Sequence, residues 1–425
     1  MRKNWLWYQF FRYPLVGLGL TIFYKKIEVT GRENLPKKKP VLFVVNHQNS
    51  FLDAILIVTR IRQFIYFLTR AQAFNPPIMN WFLRSLNMLP VYRVRDGLSS
   101  VAKNKEVFEE CIRYMKRNDA ILIFPEANHD LKRRIRPLSK GFTRIAFDAE
   151  VKENWEMGLH VVPVGLNYEE HRYSNRKMRI VFGEPIVMKK YEEIFKQDER
   201  EATNQLKAEV SERMKKAVRH VENADHYPLH DITLVQLEKD ADEFIDPIKV
   251  NQKVAKVEEY LTPEKVETAT MVQDFAKKHD INIKSITGRK KSIFWMILLS
   301  PLYLFALING ILPYAFTKNF INKNIKDPAF DASIKVVFGL FLFPIFWGIV
   351  ALILWLVGIP GIWILSYLGL SFLTARLFKK AQVVIQERMD KNHRESIRQK
   401  YPEDYTNFTN GLKELNEFRA KVLAK

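Results

Sequence analysis

Forty consecutive uncharged residues, Val336 to Ala375, most constrain what this 425-residue chain can fold into. The stretch is rich in Phe, Trp, Leu and Ile, and it is about twice as long as the roughly 20 residues that one membrane-spanning helix requires. The sequence GIPG, at residues 358–361, lies near its middle. We therefore predict a helical hairpin in a membrane, in preference to a buried pair of core helices.

A second apolar segment, Ile293 to Phe316, precedes the hairpin and is also long enough to cross a bilayer. Basic residues stand before it, in the loop after it and after the hairpin, and cytoplasmic loops are the positive ones. A re-entrant or interfacial first segment would leave all of these loops on the cytosolic side. We therefore predict a re-entrant or interfacial first segment followed by a two-span or shallow hairpin. The residues that could break the first segment midway are Pro301, Asn309, Gly310 and Pro313.

The chain carries 67 Lys and Arg against 47 Asp and Glu, a formal net charge of +20 with a pI near 9.7. Such an excess indicates an anionic partner: nucleic acid, an anionic membrane surface or a phosphorylated substrate. The apolar segments favour the membrane, and no nucleic-acid-binding motif accompanies the charge. A single cysteine, Cys111, excludes an intramolecular disulfide and cysteine-based zinc spacings, which fits a reducing, cytosolic environment.

The N-terminal residues 1–26 are aromatic and apolar, but they include Arg12 and Pro14. They end at Lys25 and Lys26 instead of a small-residue cleavage site, which is typical of an interfacial membrane anchor and not of a signal peptide. A helix that packs against the following domain would fit the same pattern equally well.

Residues 27–225 alternate short β-rich runs, such as VLFVV, AILIF and MRIVFG, with longer helical patterns. This alternation predicts an α/β domain with a mostly parallel sheet flanked by helices. We expect a lysine-rich helical module at 226–292, the hydrophobic membrane region with its transmembrane helices at 293–378, and a basic cytosolic tail at 379–425.

Two candidate catalytic residues follow the first buried run of this domain. In VVNHQNSFLDA, His47 and Asp53 come directly after Val41–Val45, at the edge where open α/β sheets keep their sites. A carboxylate that holds the imidazole in one tautomer makes His47 a candidate general base, and the substrate it suits is an alcohol. The chain has no G-x-S-x-G nucleophile elbow, and its one cysteine lies in an apparent helix, so direct transfer is the simpler mechanism.

Two further loops supply candidates for binding a phosphorylated polyol. MLPVYRVRDG places Arg93 and Arg95 just after another strand, and IFPEANHD places Glu126 behind the apolar run that ends at Phe124. A carboxylate can bond a polyol hydroxyl, and guanidinium groups can grip phosphate in bidentate fashion. Asn46, beside the candidate base, joins this substrate-binding set.

The basic run LKRRIRPLSKG, residues 131–141, either extends the pocket or faces solvent and lipid headgroups. We include Lys140 among the substrate-binding candidates. His129 either shapes the pocket through a loop hydrogen bond or moves a second proton. Metal ligation by His47 and His129 has no supporting spacing, and no metal is expected.

The four ordered blocks NHQNSFLD, LPVYR, FPEANHD and VVPVGLNY resemble those of the membrane-bound glycerolipid acyltransferases, the glycerol-3-phosphate and 1-acylglycerol-3-phosphate acyltransferase superfamily. The resemblance extends over roughly residues 27–188. It implies that His47 deprotonates the acceptor hydroxyl, that Asp53 orients it, and that Arg93 and Glu126 bind the glycerol phosphate. It also implies that the block around Pro163 lies on the acyl-donor side.

The chain departs from the family pattern in two places. Five residues separate His47 from Asp53 where four are usual, and Ala127 stands where the family has glycine. The longer spacing and the pair His129–Asp130 resemble the branch that includes fungal-type glycerol-3-phosphate acyltransferases. The choice of acceptor therefore stays open between glycerol 3-phosphate and 1-acylglycerol 3-phosphate.

These observations predict an acyltransferase of phospholipid biosynthesis that moves a fatty acyl group from acyl-CoA or acyl carrier protein to a hydroxyl of either acceptor. No cofactor is expected besides the acyl donor, and the expected partners are membrane lipids, the donor and the phosphorylated acceptor, without nucleic acid. We expect an integral protein of a bacterial inner membrane whose active site faces the cytosol. The alternative is a non-catalytic membrane scaffold that binds anionic lipid through its basic surface.

Overall fold

The computed structural model describes residues 5–92, 102–126, 128–238, 240–287 and 297–424. Its contacts divide the chain into two units. The first comprises residues 1–20, 27–167 and 178–218, and the second comprises residues 21–26, 168–177 and 219–425. Two short segments of the second unit therefore interrupt the first along the sequence.

One mostly parallel sheet of eight strands forms the centre of the first unit among the described residues. The strands are β1 Lys26–Thr30, β2 Val41–Val45, β3 Ile65–Arg70, β4 Met88–Val91, β5 Ala120–Ile123, β6 His160–Tyr168, β7 Lys177–Phe182 and β8 Ile186–Val187. Their order is β1-β7-β6-β2-β5-β3-β4, and β8 pairs with β6. Pairs β2–β5, β2–β6, β3–β4 and β3–β5 are parallel, while β8 runs antiparallel to β6. The predicted α/β class is confirmed.

Strand β2 lies between β5 and β6, and all five of its residues are buried. A continuous apolar run is what a parallel strand covered on both faces requires. The register pairs Val44 with Ile123 of β5 and with Pro163 of β6. The loops that follow β2 and β5 therefore leave the sheet at the same edge.

The helices of the first unit flank this sheet. Those that follow β2 are α3 Leu52–Val58, α4 Pro77–Ser85, α5 Asn104–Met115, α6 Gly141–Lys152, α7 Glu192–Gln197 and α8 Glu199–Ala217. Asp198 caps the N-terminus of helix α8, and its carboxylate accepts hydrogen bonds from the amides of Arg200 and Glu201 at 2.8 and 3.1 Å. Such a cap satisfies amide groups that the first helical turn leaves without a partner.

The N-terminal residues form helix α1 (Trp5–Phe10), a π-helical segment (Phe11–Gly17) and helix α2 (Leu18–Phe23). Arg12 is buried and donates to the carbonyls of Val58 and Gln63 at 2.7 and 3.2 Å, so this segment packs against the first unit. Trp5, Leu6 and Phe10 nevertheless stay exposed. The segment thus has one packed side, as a core helix would, and one uncovered apolar side, as an interfacial anchor would.

The described part of the second unit is helical apart from its short inserted segments. Its helices are α9 Tyr227–Asp231, α10 Ala241–Phe244, α11 Pro247–Glu259, α12 Pro263–Lys278, α13 Lys284–Thr287, α14 Ser300–Asn324, α15 Asp331–Leu356, α16 Gly361–Lys400 and α17 Pro402–Ala424. Val257 and Val272 share one buried cluster with Phe408 and Leu415 of α17. The C-terminal tail therefore completes the core of the lysine-rich module, and α16 runs through residue 378 without a break.

Among the described residues, three helices are long and apolar enough to cross a membrane: Ser300–Asn324, the helical stretch Pro328–Leu356 and Gly361–Lys400. They confirm the prediction of C-terminal transmembrane helices, whereas the bounds 293–378 of the membrane region stay a prediction. Helix α14 is continuous from Ser300 to Asn324, so Pro301, Asn309, Gly310 and Pro313 do not break it. Topology relative to a membrane stays a prediction.

The residues expected to break α14 instead serve its packing. Pro313 has no amide hydrogen, which leaves the carbonyl of Asn309 without its helical donor. The indole of Trp347 donates to that carbonyl at 3.2 Å, and the Tyr367 hydroxyl bonds the Asn309 side chain at 2.7 Å. Gly310 admits the ring of Phe378, which a Cβ would meet at 2.5 Å. Neighbouring helices thus satisfy the groups that proline and asparagine would otherwise leave exposed.

At Gly165, the backbone of strand β6 lies very close to the backbone at the end of helix α8. A Cβ at Gly165 would lie 2.0 Å from the carbonyl oxygen of Ala217, at the end of α8. Because backbone cannot yield as a flexible side chain can, we expect Gly165→Ala to lower the free energy of unfolding by about 3 kcal/mol. Thermal and denaturant unfolding of the purified protein in detergent would measure the loss.

Gly141→Ala is the matched control, since a Cβ there meets only ordinary contacts, the nearest being an Ile123 methyl at 3.8 Å. Gly141 is the first residue of helix α6, where alanine is a better helix former than glycine. We expect its stability to be unchanged or raised. Equal midpoints for the two variants would contradict the close approach of β6 and α8.

Candidate active site

His47, in the loop after β2, and Asp53, in the first turn of α3, form a hydrogen-bonded pair. The Nδ1 atom of His47 lies 2.8 Å from Oδ2 of Asp53, and the same oxygen accepts the amides of Gln48 and Asn49, each at 2.8 Å. Asp53 is fully buried, whereas 15% of the His47 side chain is exposed. The carboxylate therefore fixes the loop and the imidazole together.

This contact determines the tautomer of His47. A carboxylate that already accepts two amide hydrogens takes a third hydrogen from Nδ1, so Nδ1 carries the proton. The lone pair of the neutral imidazole is then on Nε2. His47 can therefore accept a proton at Nε2, and the negative charge of the Asp53 carboxylate stabilises the imidazolium that forms.

The loop accommodates its extra residue at Ser50, which has a positive φ of 49°. Such a conformation is uncommon outside glycine. It allows a turn in which the amide of Leu52 bonds the carbonyl of Asn49 at 3.2 Å and the amide of Asp53 bonds that of Ser50 at 3.4 Å. Five intervening residues thus still bring Asp53 to the histidine.

The imidazole of His47 contacts two rings, those of Phe124 and His129, in the loop that follows β5. It stacks on Phe124, with ring centroids 4.1 Å apart and an interplanar angle of 16°, and it meets His129 edge-on at 5.6 Å. The backbone also joins the two loops, because the amide of Asp130 donates to the carbonyl of His47 at 3.0 Å. The two loops therefore form one site, as their placement after β2 and β5 predicts.

Glu126 is a buried carboxylate that connects the base to a basic residue. It accepts the amide of His47 at 3.2 Å, the amide of Arg136 at 3.1 Å and a guanidinium N–H of Arg136 at 3.0 Å. Burial raises the pKa of Glu126, while its hydrogen bonds and its proximity to Arg136 oppose that rise. Arg136 also donates to the carbonyl of Asn128, so one arginine holds both the carboxylate and the loop around it.

Arg136 is the functional candidate that the sequence did not single out. It belongs to the basic run, but it looks no different there from Arg133 or Arg134. Only the tertiary structure brings its guanidinium group to Glu126. The sequence shows a carboxylate, Glu126, after an apolar run and several cationic residues after it. This pattern does not indicate which cationic residue pairs with Glu126.

The remaining predicted residues occupy different positions. Asn46 is fully buried, and its amide bonds both the N–H and the carbonyl of Leu166 on β6 at 2.7 and 3.2 Å, which fastens β2 to that strand. Lys140 is exposed at the start of α6. Arg93 and Arg95 lie outside the described residues. Substrate binding by each of these four residues stays a prediction.

Covalent catalysis has no candidate at the described part of this site. Cys111 is fully buried within α5, and burial raises the pKa of its thiol. A thiolate nucleophile is therefore disfavoured there. What the geometry offers is a base with an oriented imidazole, exposed at a loop edge beside cationic side chains.

Residues 26–167 match a family model described as Acyltransferase. A chloroplastic 1-acyl-sn-glycerol-3-phosphate acyltransferase from Brassica napus is 29% identical over 35% of this chain and 39% of its own length. A chloroplastic enzyme of the same description from Arabidopsis thaliana is 30% identical over 35% of this chain and 38% of its own. Glycerol-3-phosphate O-acyltransferase 2 from Saccharomyces cerevisiae is 27% identical over 22% of this chain and 14% of its own.

The chain thus spans about two fifths of the length of the two plant relatives. Among solved structures, a 1-acyl-sn-glycerophosphate acyltransferase from Thermotoga maritima is similar over 50% of this chain and 83% of its own, with 21% identity and a TM-score of 0.35.

Glu126→Gln tests the bridge between His47 and Arg136. The amide would bring N–H donors to a place where the carboxylate accepts three hydrogen bonds, so we expect a loss of about 2 kcal/mol in the free energy of unfolding. Thermal unfolding in detergent would measure it. Glu184→Gln is the control, because 82% of the Glu184 side chain is exposed. Equal midpoints for both variants would contradict the bridging role.

Proposed function

Because the chain belongs to the glycerolipid acyltransferase superfamily through its acyltransferase domain at residues 26–167, we propose that it is an O-acyltransferase of phospholipid synthesis. It transfers a fatty acyl group from a thioester, acyl-CoA or acyl carrier protein, to a hydroxyl of 1-acylglycerol 3-phosphate or glycerol 3-phosphate. The names of the plant and yeast relatives support these two acceptors.

The observation that carries the proposal is the contact between His47 Nδ1 and Asp53 Oδ2 at 2.8 Å. It leaves Nε2 as the proton acceptor on a ring that is partly exposed. A base of this kind acts on a hydroxyl, which is the group that both proposed acceptors present.

The reaction then needs no covalent enzyme intermediate. Nε2 of His47 takes the hydroxyl proton as the oxygen forms a bond to the thioester carbonyl carbon. The carbonyl electrons collapse back, the carbon–sulfur bond breaks, and the thiolate leaves with its electron pair. The imidazolium returns its proton to that thiolate, while Asp53 stabilises the charged ring between the two transfers. Alignment of two bound substrates with a base supplies most of the acceleration, since thioesters are already activated.

Cationic side chains near the base support a phosphorylated acceptor. Arg136 is fixed by Glu126, and its side chain is 23% exposed, so part of its guanidinium can reach a ligand. Guanidinium groups bind phosphate through several N–H donors at once. Arg93, Arg95, His129 and Lys140 remain proposed contributors to this phosphate and glycerol pocket.

An exposed apolar surface on the first unit supports an acceptor that resides in a membrane. Ile78 and Trp81 of helix α4 are 67% and 64% exposed. Helix α1 lies beside α4, because the indole of Trp7 donates to the Ser85 hydroxyl at 3.1 Å. Large exposed apolar patches of this kind mark membrane or partner contacts.

We propose an integral membrane location with the active site on the cytosolic side, supported by the three apolar helices and the basic loops. The relatives described above with sequence matches come from plants and yeast, so they give no support to a bacterial inner membrane. The identity of the membrane stays open. No cofactor besides the acyl donor is proposed.

The test is an assay of the purified full-length protein in lipid vesicles with each acceptor and each type of donor. Release of free thiol and formation of acylated product should rise together in at least one of the four combinations. His47→Ala should abolish both signals. Wild-type protein that transfers to neither acceptor from either donor, yet still binds anionic vesicles, would favour the scaffold alternative.

Asp53→Asn and Asp53→Ala separate the charge of Asp53 from its hydrogen bonds. His47→Ala should lower kcat at least about 100-fold, as is usual for a general base. Since one oxygen of Asp53 accepts from His47, Gln48 and Asn49, an amide oxygen in its place can keep these three contacts while the charge is lost. We therefore expect Asp53→Asn to retain roughly tenfold more activity than Asp53→Ala.

Steady-state kinetics with the best substrate pair would measure these ratios. His160→Ala is the control, because His160 is a histidine of the same unit at the start of β6, away from the two loops. It should keep near-normal turnover. Equal activities of Asp53→Asn and Asp53→Ala would contradict a role of this oxygen in orienting the loop.

Ile78→Glu/Trp81→Glu tests the exposed surface of α4. If this surface enters lipid, two charges there should lower activity on vesicle-borne 1-acylglycerol 3-phosphate by about tenfold or more. Activity on a short-chain, water-soluble analogue of the same acceptor should stay unchanged. Val151→Glu places a charge at another exposed apolar position of the first unit and serves as the control. Equal losses on both acceptors would contradict lipid contact.

A further inference from the structure

A small cavity in the second unit has a cationic lining that the proposed chemistry does not use. It has a volume of about 50 Å³, room for a group of a few heavy atoms, and lies between residues 173–176 and helices α14, α15 and α16. Arg176, Lys335 and Lys379 line it, and none of its described lining residues is an Asp or Glu. It shares no residue with the His47 site.

Lys379 is a cation of this cavity whose charge is not neutralised by a carboxylate among the described residues. Its ammonium lies 5.8 Å from the ring centroids of Phe23, Phe343 and Phe378. No ion pair joins it to a carboxylate among the described residues. Aromatic faces attract a cation, but they do not neutralise it. An anion entering the cavity would therefore find a strongly favourable partner.

Lys335 and the two neighbouring arginines add to the positive charge. The Lys335 ammonium donates to the carbonyl of Arg172 at 2.8 Å, which leaves its charge in place. Arg172 bonds Asp331 at 2.8 Å, and an N–H group of Arg176 lies 3.6 Å from Glu169. Arg172 and Arg176 thus each face a carboxylate, whereas Lys335 and Lys379 have no carboxylate within salt-bridge distance among the described residues.

Two buried donors in the lining lack acceptors among the described residues. Nε of Arg176 and Nε2 of Gln382 are both buried without a hydrogen-bond partner. A buried donor without an acceptor costs about 1–3 kcal/mol, so such groups usually belong to a ligand or water site. The cavity therefore combines excess positive charge with N–H groups that an oxyanion would satisfy.

We propose that this cavity binds a phosphate ester, and specifically the phosphate group of an anionic glycerophospholipid. The positive charge and the N–H donors of the lining suit the negatively charged oxygens of a phosphate group. Tyr314, Phe343 and Val383 form an apolar part of the lining. The helices that form it are the three that could cross a membrane, and basic pockets between such helices bind lipid headgroups. The proposal does not depend on the acyltransferase activity proposed above.

Native mass spectrometry of the full-length protein in detergent tests the site by counting bound lipids. The probes are short-chain phosphatidic acid, phosphatidylcholine with the same chains, and inorganic phosphate. Wild-type protein should retain one more phosphatidic acid than Lys335→Met/Lys379→Met, and Lys379→Arg should retain the wild-type number because the charge is kept. Lys380→Met, which changes the exposed neighbour on the same helix, should also match wild type.

Circular dichroism and thermal unfolding would establish that each variant is folded before lipids are counted. Should the double variant fail to fold, Lys379→Gln alone takes its place. Equal phosphatidic acid counts for wild type and the charge-removing variant would overturn the proposal. Equal retention of phosphatidylcholine would overturn recognition of an anion. Lysine-dependent binding of inorganic phosphate without phosphatidic acid would overturn the lipid source.

Discussion

The parallel pairing of β2 with both β5 and β6 is the constraint on which the rest of the first unit depends. Because β2 is buried on both faces, its polar groups can emerge only where the strand ends, and the register brings the end of β5 to the same edge. Asn46 closes this edge by bonding the backbone of Leu166 from inside the sheet. His47, one residue later, is the first side chain free to face a ligand.

Around that edge the site is built from carboxylates that accept several hydrogen bonds. Asp53 holds the imidazole together with two amides, and Glu126 holds the amide of His47 together with Arg136. Each carboxylate accepts three hydrogen bonds from the protein, and substrate binding by Glu126 stays a prediction. Their part is to fix positions, which agrees with a mechanism in which alignment of two substrates supplies most of the acceleration.

The apolar helices of the second unit meet a different constraint, because a segment that crosses a membrane must satisfy every backbone group without water. Pro313 and Asn309 suggested a broken segment, yet Trp347 and Tyr367 from neighbouring helices supply the missing partners, and α14 stays continuous. The same helices leave the charges of Lys335 and Lys379 concentrated at a small cavity. The packing of these helices thus satisfies the backbone groups of α14 and also places Lys335 and Lys379 around one cavity.

The sequence by itself determined the α/β class and the apolar helices, and it predicted that His47 and Asp53 lie together and that Glu126 lies beside them, because each depends on local pattern or short spacing. The roles of these three residues stay predictions. The sequence could not identify Arg136 as the partner of Glu126, assign Asn46 to the sheet, or join α17 to the core of the helical module. Those outcomes depend on contacts between residues distant in the chain. A run of similar cations carries no signal that separates its members, and only the tertiary structure selects one by distance and direction.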